Sequence, residues 1–207
     1  MATVGYTTTP SGSYNNYQVN INNLLVSKVT MPQAGQITSI SCYIAAHVGS
    51  GNTTARFCVW DSNGNLLAQS ADITLTPGTG SIGGQSWVTA NLTSAYNASN
   101  GQVLFIGAWR HWNQSHEWTE DSNANVEYSV TGGDGSNTVP PASESFTSAG
   151  GNPGIYATYT PNPVFPSTLF VDDGTNLRAV SGFAYDGTQL RTISIFIFDG
   201  TSLRQVM

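Results

Sequence analysis

The feature that most constrains this chain is a turn repeated three times at a spacing of 13 residues. Asp173-Gly174-Thr175-Asn176-Leu177-Arg178 recurs as Asp186-Gly187-Thr188-Gln189-Leu190-Arg191 and again as Asp199-Gly200-Thr201-Ser202-Leu203-Arg204. Phe170, Phe183 and Phe196 keep one phase with the turn, and Val180, Ile193 and Val206 another. Gly-Thr as a two-residue loop predicts β-hairpins. Tyr185 then pairs with Leu190, Phe183 with Thr192 and Ala179 with Phe196, while Gly182 pairs with Ile193 and Val180 with Ile195. Both faces stay internally consistent, as a true register requires. The expected product is a four-strand antiparallel meander over residues 167–207.

That meander is apolar on both faces, since Ile193, Ile195 and Ile197 alternate with Phe196 and Phe198 on one strand. A lone sheet of this kind needs a cover. Its own neighbouring domain is one possible cover; copies of itself or another subunit of an assembly are the other, and the preferred expectation. Phe170, Leu177, Arg178, Phe183, Leu190, Arg191, Ile195, Phe196, Leu203 and Arg204 are the candidate assembly and docking residues. The arginines fall near strand ends, within reach of the turn aspartates.

Upstream, Pro161-Asn162-Pro163-Val164-Phe165-Pro166 holds three prolines in six positions, a stiff connector because proline fixes φ and removes a backbone donor. Before it, short apolar runs alternate with turn signals. Strands are expected over Leu24–Val29, Ile37–Val48, Arg56–Trp60, Leu66–Leu75, Trp87–Leu92, Val103–Trp112, Val126–Val130 and Ile155–Tyr159. Ile40, Cys42, Ile44, Ala46 and Val48 share one face of the second run. No segment shows a useful 3.6-residue period. The pattern predicts an all-β chain: a polar arm or edge segment at 1–17, a jelly-roll-like antiparallel β-sandwich at 18–160, the connector at 161–166, and the C-terminal antiparallel β-meander.

Composition narrows the partners. Hydrophobic residues make up 39%, enough for a core, but charged residues only 9%, against roughly 25% in ordinary domains. Among only six Lys and Arg, three are Arg178, Arg191 and Arg204. No basic patch exists to neutralise phosphates, so neither nucleic acid nor an anionic membrane is an expected partner. The opening Met1-Ala2-Thr3-Val4-Gly5 reads as no signal peptide, and no apolar run reaches the ~20 residues that cross a bilayer. Synthesis in a cytoplasm is therefore expected, and the Asn-x-Ser/Thr triplets at Asn52, Asn91, Asn97 and Asn113 read as products of composition. Cys42 and Cys58 provide no metal framework. A hairpin turning at Val48-Gly49-Ser50-Gly51-Asn52 would pair them across two strands, with two free buried thiols as the expectation.

The runs Val29-Thr30-Met31-Pro32-Gln33-Ala34-Gly35-Gln36-Ile37-Thr38-Ser39-Ile40 and Val59-Trp60-Asp61-Ser62-Asn63-Gly64-Asn65-Leu66-Leu67-Ala68 carry a resemblance. Gln85-Ser86-Trp87-Val88-Thr89 and Gly154-Ile155-Tyr156-Ala157-Thr158-Tyr159 continue it. Together they run through about two thirds of the chain. They resemble the β-sandwich modules of minor tail and tail-fibre proteins of bacteriophages infecting actinobacteria, and the Asp-Gly-Thr-x-Leu-Arg turns are similar to short terminal repeats of such proteins. The resemblance implies a place in the virion and frequent trimers, with other virion structural proteins as partners. It carries no catalytic or ligand residues to transfer. A minor tail or fibre component is the expected role. A capsid decoration protein is the alternative, and a carbohydrate-binding module for host recognition the alternative from another class.

One segment could carry recognition. Gly107 to Trp118 concentrates three of the five tryptophans and two of the three histidines. Exposed tryptophan faces stack on sugar rings while Arg, Asn and Gln bond hydroxyls, so Trp109, Arg110, Trp112 and Trp118 are candidate carbohydrate contacts on a host-surface glycan. Trp109 shares a face with Phe105, however, and reads as core, which leaves Trp112 and Trp118 as the better candidates for exposure. His111, His116 and Glu117 match no metal-ligand spacing. Asp61-Ser62-Asn63-Gly64-Asn65 looks faintly like a calcium loop but is explained by a hairpin turn. Glu117, Glu120, Asp121 and Glu127 could pair as glycosidase carboxylates, yet read as a solvated polar loop. No Gly-x-Ser-x-Gly nucleophile motif is present. The expectation is a non-enzymatic protein without metal or cofactor.

Overall fold

The computed structural model describes residues 1–11, 14–15, 24–46, 51–77, 85–110, 116–121, 127–130, 139–140, 142–148, 152–163, 168–172, 177–181, 196–198 and 203–205. All regular structure among them is β. In chain order come β1 (Ala2–Gly5), β2 (Tyr14–Asn15), β3 (Leu24–Thr30), β4 (Gly35–Ala46) and β5 (Thr53–Asp61). Next are β6 (Leu66–Gln69), β7 (Ile73–Leu75), β8 (Ser86–Ala98), β9 (Val103–Arg110) and β10 (His116–Asp121). β11 (Glu127–Val130), β12 (Thr147–Ser148), β13 (Asn152–Pro153) and β14 (Ile155–Pro161) complete the first unit, which spans Met1–Asn162.

Two antiparallel sheets pack together as a jelly-roll-like β-sandwich. In the first, β4 pairs with β8 on one edge, and on the other with β14 and then, end to end, β10. β1 lies outside β14, while β2 and β13 pair with β10. The second sheet runs β12-β11-β3-β9-β5, with β6 and β7 end to end along the far edge of β5. Most connections cross from one sheet to the other, so neighbours in sequence are seldom neighbours in a sheet.

Alternation explains why the sheets close on each other. Ile37, Ile40, Cys42, Ile44, Ile155 and Ala157 from the first sheet meet Ala55, Phe57, Val59, Leu104 and Ile106 from the second, all fully buried in one cluster. Burying each large apolar side chain contributes about 1.5–3 kcal/mol. Ile37 and Ile40 are out of phase for a regular strand, yet both reach the core. Thr158 and Tyr159 lie opposite Ser39 and Ile37, leaving Thr38 as an unpaired bulge that resets the alternation. β8 also departs from β4 between Asn91 and Tyr96. There Leu92 bridges Ser70, and the Thr93 hydroxyl donates to the Gln69 carbonyl at 2.9 Å, stitching the two sheets along one margin.

A second, smaller core lies outside the sandwich, on the outer face of the second sheet. Phe57 and Val59 point inward, so Cys58 and Trp60 point outward, where they join Val26, Phe105 and Trp109. Phe146 covers them, stacked on Phe105 with centroids 4.4 Å apart and edge-on to Trp60 at 5.6 Å. The covering segment is held by main-chain bonds from Leu66 N to the Ala142 carbonyl and from Glu144 N to the Gly64 carbonyl, both 2.9 Å. Gly64 has φ +84°, and any Cβ there would overlap the Glu144 carbonyl oxygen, so close approach and backbone conformation both require glycine. Its turn is ordered by Asp61, whose carboxylate accepts from Asn63 N and Asn65 N at 2.8 Å and from Asn65 Nδ2 at 2.9 Å.

Three expectations need correction. β4 and β5 do not form a hairpin. They lie in opposite sheets, with Cys42 between Val88 and Ile155, and Cys58 between Gln69 and Gly107. A Gly-rich turn serves a sheet-to-sheet arch as well as a hairpin, and each strand already has two partners of its own. The thiols are free and buried, Cys42 in the sandwich core and Cys58 in the outer cluster; burial pushes both up from the ordinary thiol value. The run Leu66–Leu75 is two strands, because Ser70 turns in to bond Phe57: its Oγ accepts from Phe57 N at 2.9 Å, and its N donates to the Phe57 carbonyl at 2.8 Å. Finally, the segment carrying Glu117, Glu120 and Asp121 is strand β10 and not a polar loop.

The second unit, Pro163–Met207, contains β15 (Thr168–Asp172), β16 (Leu177–Ser181), β17 (Phe196–Phe198) and β18 (Leu203–Gln205). β15 pairs with β16 through Phe170↔Ala179 and Asp172↔Leu177, and β17 with β18 through Phe196↔Gln205 and Phe198↔Leu203. Both registers are those of a two-residue Gly-Thr loop, Gly174-Thr175 in one and Gly200-Thr201 in the other. Phe183, Leu190, Arg191 and Ile195 of the expected middle hairpin lie outside the described residues, and at its described end β16 and β17 belong to separate two-stranded sheets, so the expected pairing of Ala179 with Phe196 is not made.

Candidate functional site

The outer face of the first sheet differs from that of the second in its chemistry. Strand alternation that sends Ile44, Val88, Ala90 and Ile155 inward sends Tyr43, Trp87, Thr89 and Tyr156 outward. Trp87 sits directly opposite Tyr43 on the neighbouring strand. Its ring centroid is 5.5 Å from that of Tyr43 and 5.1 Å from that of Tyr156, tilted 57° and 56° to them. The three rings are half-buried. They form a shallow cleft with inclined walls, since flat stacking would need parallel planes.

Among the described residues the polar groups named around it are neutral. Trp87 Nε1 donates to Thr9 Oγ1 at 3.2 Å, which fixes the indole and ties the N-terminal segment to this face. Ser41 and Thr89 hydroxyls lie 2.7 Å apart, and Thr89 is exposed; Asn91, two residues further along the same side of β8, is exposed too. Gln85 precedes Trp87 by two residues, on the same side by alternation. It is 6% exposed, and among the described residues neither its amide nitrogen nor its amide oxygen has a hydrogen-bond partner. Gly154 packs under Tyr43 and Pro10, where a Cβ would come within 2.8 Å of the Tyr43 side chain.

Of the residues expected to bind carbohydrate, only Trp109 has a described side chain, and it does not join this cluster. Trp109 is 8% exposed and belongs to the outer cluster of the second sheet, consistent with its shared face with Phe105. Arg110 ends β9. Trp118 lies in β10, opposite Ile44 on one side and Asn15 on the other. Trp112 and His111 lie outside the described residues, as does the side chain of Trp118. Glu117 is opposite Ala45 and Glu120 opposite Pro153. Asp61 is engaged by its own turn, its carboxylate accepting from Asn63 N, Asn65 N and Asn65 Nδ2. Its carboxyl is held below the ordinary range, chiefly by the Asn65 side chain. Asp72 pairs with Arg56. Among the described residues no three His, Cys, Asp or Glu cluster as metal ligands, and no helix is long and apolar enough to cross a membrane.

The Tyr43–Trp87–Tyr156 cleft was not foreseen. Its signal was present in part, as outward positions of the right parity at 87 and 89, but the partners come from strands far apart in sequence. Compared with protein-family models and with curated proteins, the chain matches none.

Proposed function

We propose that this chain is a non-enzymatic structural component of a bacteriophage virion, a minor tail or tail-fibre protein, made in the host cytoplasm and assembled into the particle. The observation that carries this reading is the division into two units of different character. The sandwich unit ends at Asn162, and the unit that starts at Pro163 holds two hairpins built on the 13-residue repeat. The repeat positions Phe170, Leu177, Arg178, Phe196, Leu203 and Arg204 all fall on paired strands of that unit. Repeated hairpins with apolar residues at alternate positions suit burial against identical copies or neighbouring subunits. The resemblance in sequence supplies the virion, and trimers as the expected assembly. Decoration of the capsid surface is the alternative position within the same particle.

The test is removal of residues 163–207 from the gene in the producing phage. The remaining sandwich should be made and stay folded, yet be missing from purified particles by mass spectrometry. Full incorporation of the truncated chain would remove the docking role of the repeats. Absence of the intact chain from particles would remove the virion assignment itself.

A further inference from the structure

We propose that the outer face of the first sheet is a binding site for a neutral carbohydrate, with the apolar face of a pyranose ring seated on Trp87 between Tyr43 and Tyr156. Four observations converge. The three rings are half-open, so they present apolar area to a ligand that can turn a C–H face toward them. The indole is oriented in advance by its bond to Thr9 at 3.2 Å, so little rotamer entropy is lost on binding. The named side chains of the cleft and its rim are aromatic, hydroxyl or amide, and none carries a charge. That suits hydroxyls rather than phosphate, carboxylate or ammonium.

The fourth observation is Gln85. A buried amide with neither atom bonded is costly to keep, and such a group in a native structure calls for an explanation, a bound ligand being one. Two residues before Trp87 in the chain, it carries a donor and an acceptor in one plane, the pair that two adjacent sugar hydroxyls satisfy. Thr89 and Asn91 supply exposed hydrogen-bonding groups along the other direction.

This site is built from none of the residues of the Trp109–Trp118 segment and does not depend on the virion assignment. It is tested on the full-length purified chain by saturation-transfer difference NMR with the methyl glycosides of glucose, galactose, mannose and N-acetylglucosamine. At least one should receive saturation on its ring C–H protons. Trp87→Ala and Tyr156→Leu, each checked for an unchanged β-rich circular dichroism spectrum, should weaken that glycoside's binding about two- to tenfold. Trp118→Ala should leave it unchanged. Gln85→Met removes the buried amide and keeps the volume, so it should bind more weakly while melting no lower than the wild type, an outcome that a packing role alone does not produce.

Transfer to none of the four glycosides would overturn the proposal. So would binding that is equal in Trp87→Ala, Tyr156→Leu and the wild type, or lost only in Trp118→Ala. Concentration-dependent self-association abolished by Trp87→Ala, without glycoside transfer, would instead assign the face to a second copy of the chain.

Discussion

Trp60 and Trp87 both stand on outward positions of a sheet in the same sandwich, and they meet different ends. Trp60 is fully buried, edge-on to Phe146 and enclosed with Phe105, Trp109 and Val26. Trp87 is held half-open by Tyr43, Tyr156 and the Thr9 hydroxyl. The first is roofed by a segment arriving from residues 142–147 and pinned at Gly64; the second is braced from its sides. An outward aromatic is therefore no evidence by itself of a surface site. What decides is whether a later stretch of chain is anchored above it, and here the anchor is a pair of backbone hydrogen bonds to one turn.

The largest expected effect is at the roofed face. Trp60→Ala should destabilise the protein by about 3–5 kcal/mol, since it empties a fully enclosed site. Chemical denaturation monitored by far-ultraviolet circular dichroism measures this. A loss below about 1 kcal/mol would mean that the outer cluster is not a true second core.

Phe146→Ala should cost about 2 kcal/mol, less because Phe146 is itself only partly buried. It should also make Cys58 reactive toward a thiol reagent while Cys42, in the sandwich core, stays protected. Equal protection of both thiols would show that Phe146 does not seal the face. Gly64→Ala should act on the same roof from below, at about 1–3 kcal/mol, through its positive φ and the collision with the Glu144 carbonyl. If it exposed Cys58 as Phe146→Ala does, the turn would be confirmed as the anchor.

At the open face, Trp87→Ala should cost only about 1 kcal/mol of stability. A loss as large as that of Trp60→Ala would erase the distinction between the faces.

The smallest effect is in pH dependence. Partial burial raises the Glu144 carboxyl above its ordinary value of 4.5. Its folded state thus holds the proton more tightly than the unfolded chain. The associated stability is fully present below 4.5 and is lost as pH rises through the higher folded value. Asp61, lowered from 3.8 chiefly by the Asn65 side chain, has the opposite sign: its contribution is present above 3.8 and lost as pH falls through the folded value. Glu144→Gln should flatten the first slope and leave the second, as read from melting temperatures across that range. An unchanged slope would remove burial of Glu144 from the account.

Much of the sandwich was legible from alternation. Ile40, Cys42, Ile44 and Ala46 do share the core face, and the strands at 24–30, 53–61 and 103–110 fall close to where apolar runs and turn residues put them. Ser70 and the Thr38 bulge were not legible. A polar residue that turns inward to complete one backbone pair, or an extra residue that shifts phase, looks in sequence like any other serine or threonine. The strand at 116–121 was hidden for a related reason: charged residues favour a loop by propensity, but pairing with Ala45 and Ile44 overrides it. Of the aromatic cleft only the β8 side could be read, because Tyr43 and Tyr156 reach Trp87 through pairing with strands distant in sequence.

By itself, then, the sequence determined the β class, the inward faces of the main strands, the turn at Asp61–Asn65 and the register of two C-terminal hairpins. These are local matters, settled by a two-residue side-chain period and by backbone conformations that few residues adopt. The tertiary structure alone decided that β4 and β5 belong to opposite sheets, that Cys42 and Cys58 occupy separate cores, and that one outward tryptophan is roofed while the other stays open. Those outcomes depend on which distant strand supplies the missing hydrogen bonds and cover, and a strand's sequence specifies its own faces far more strongly than the identity of its neighbours.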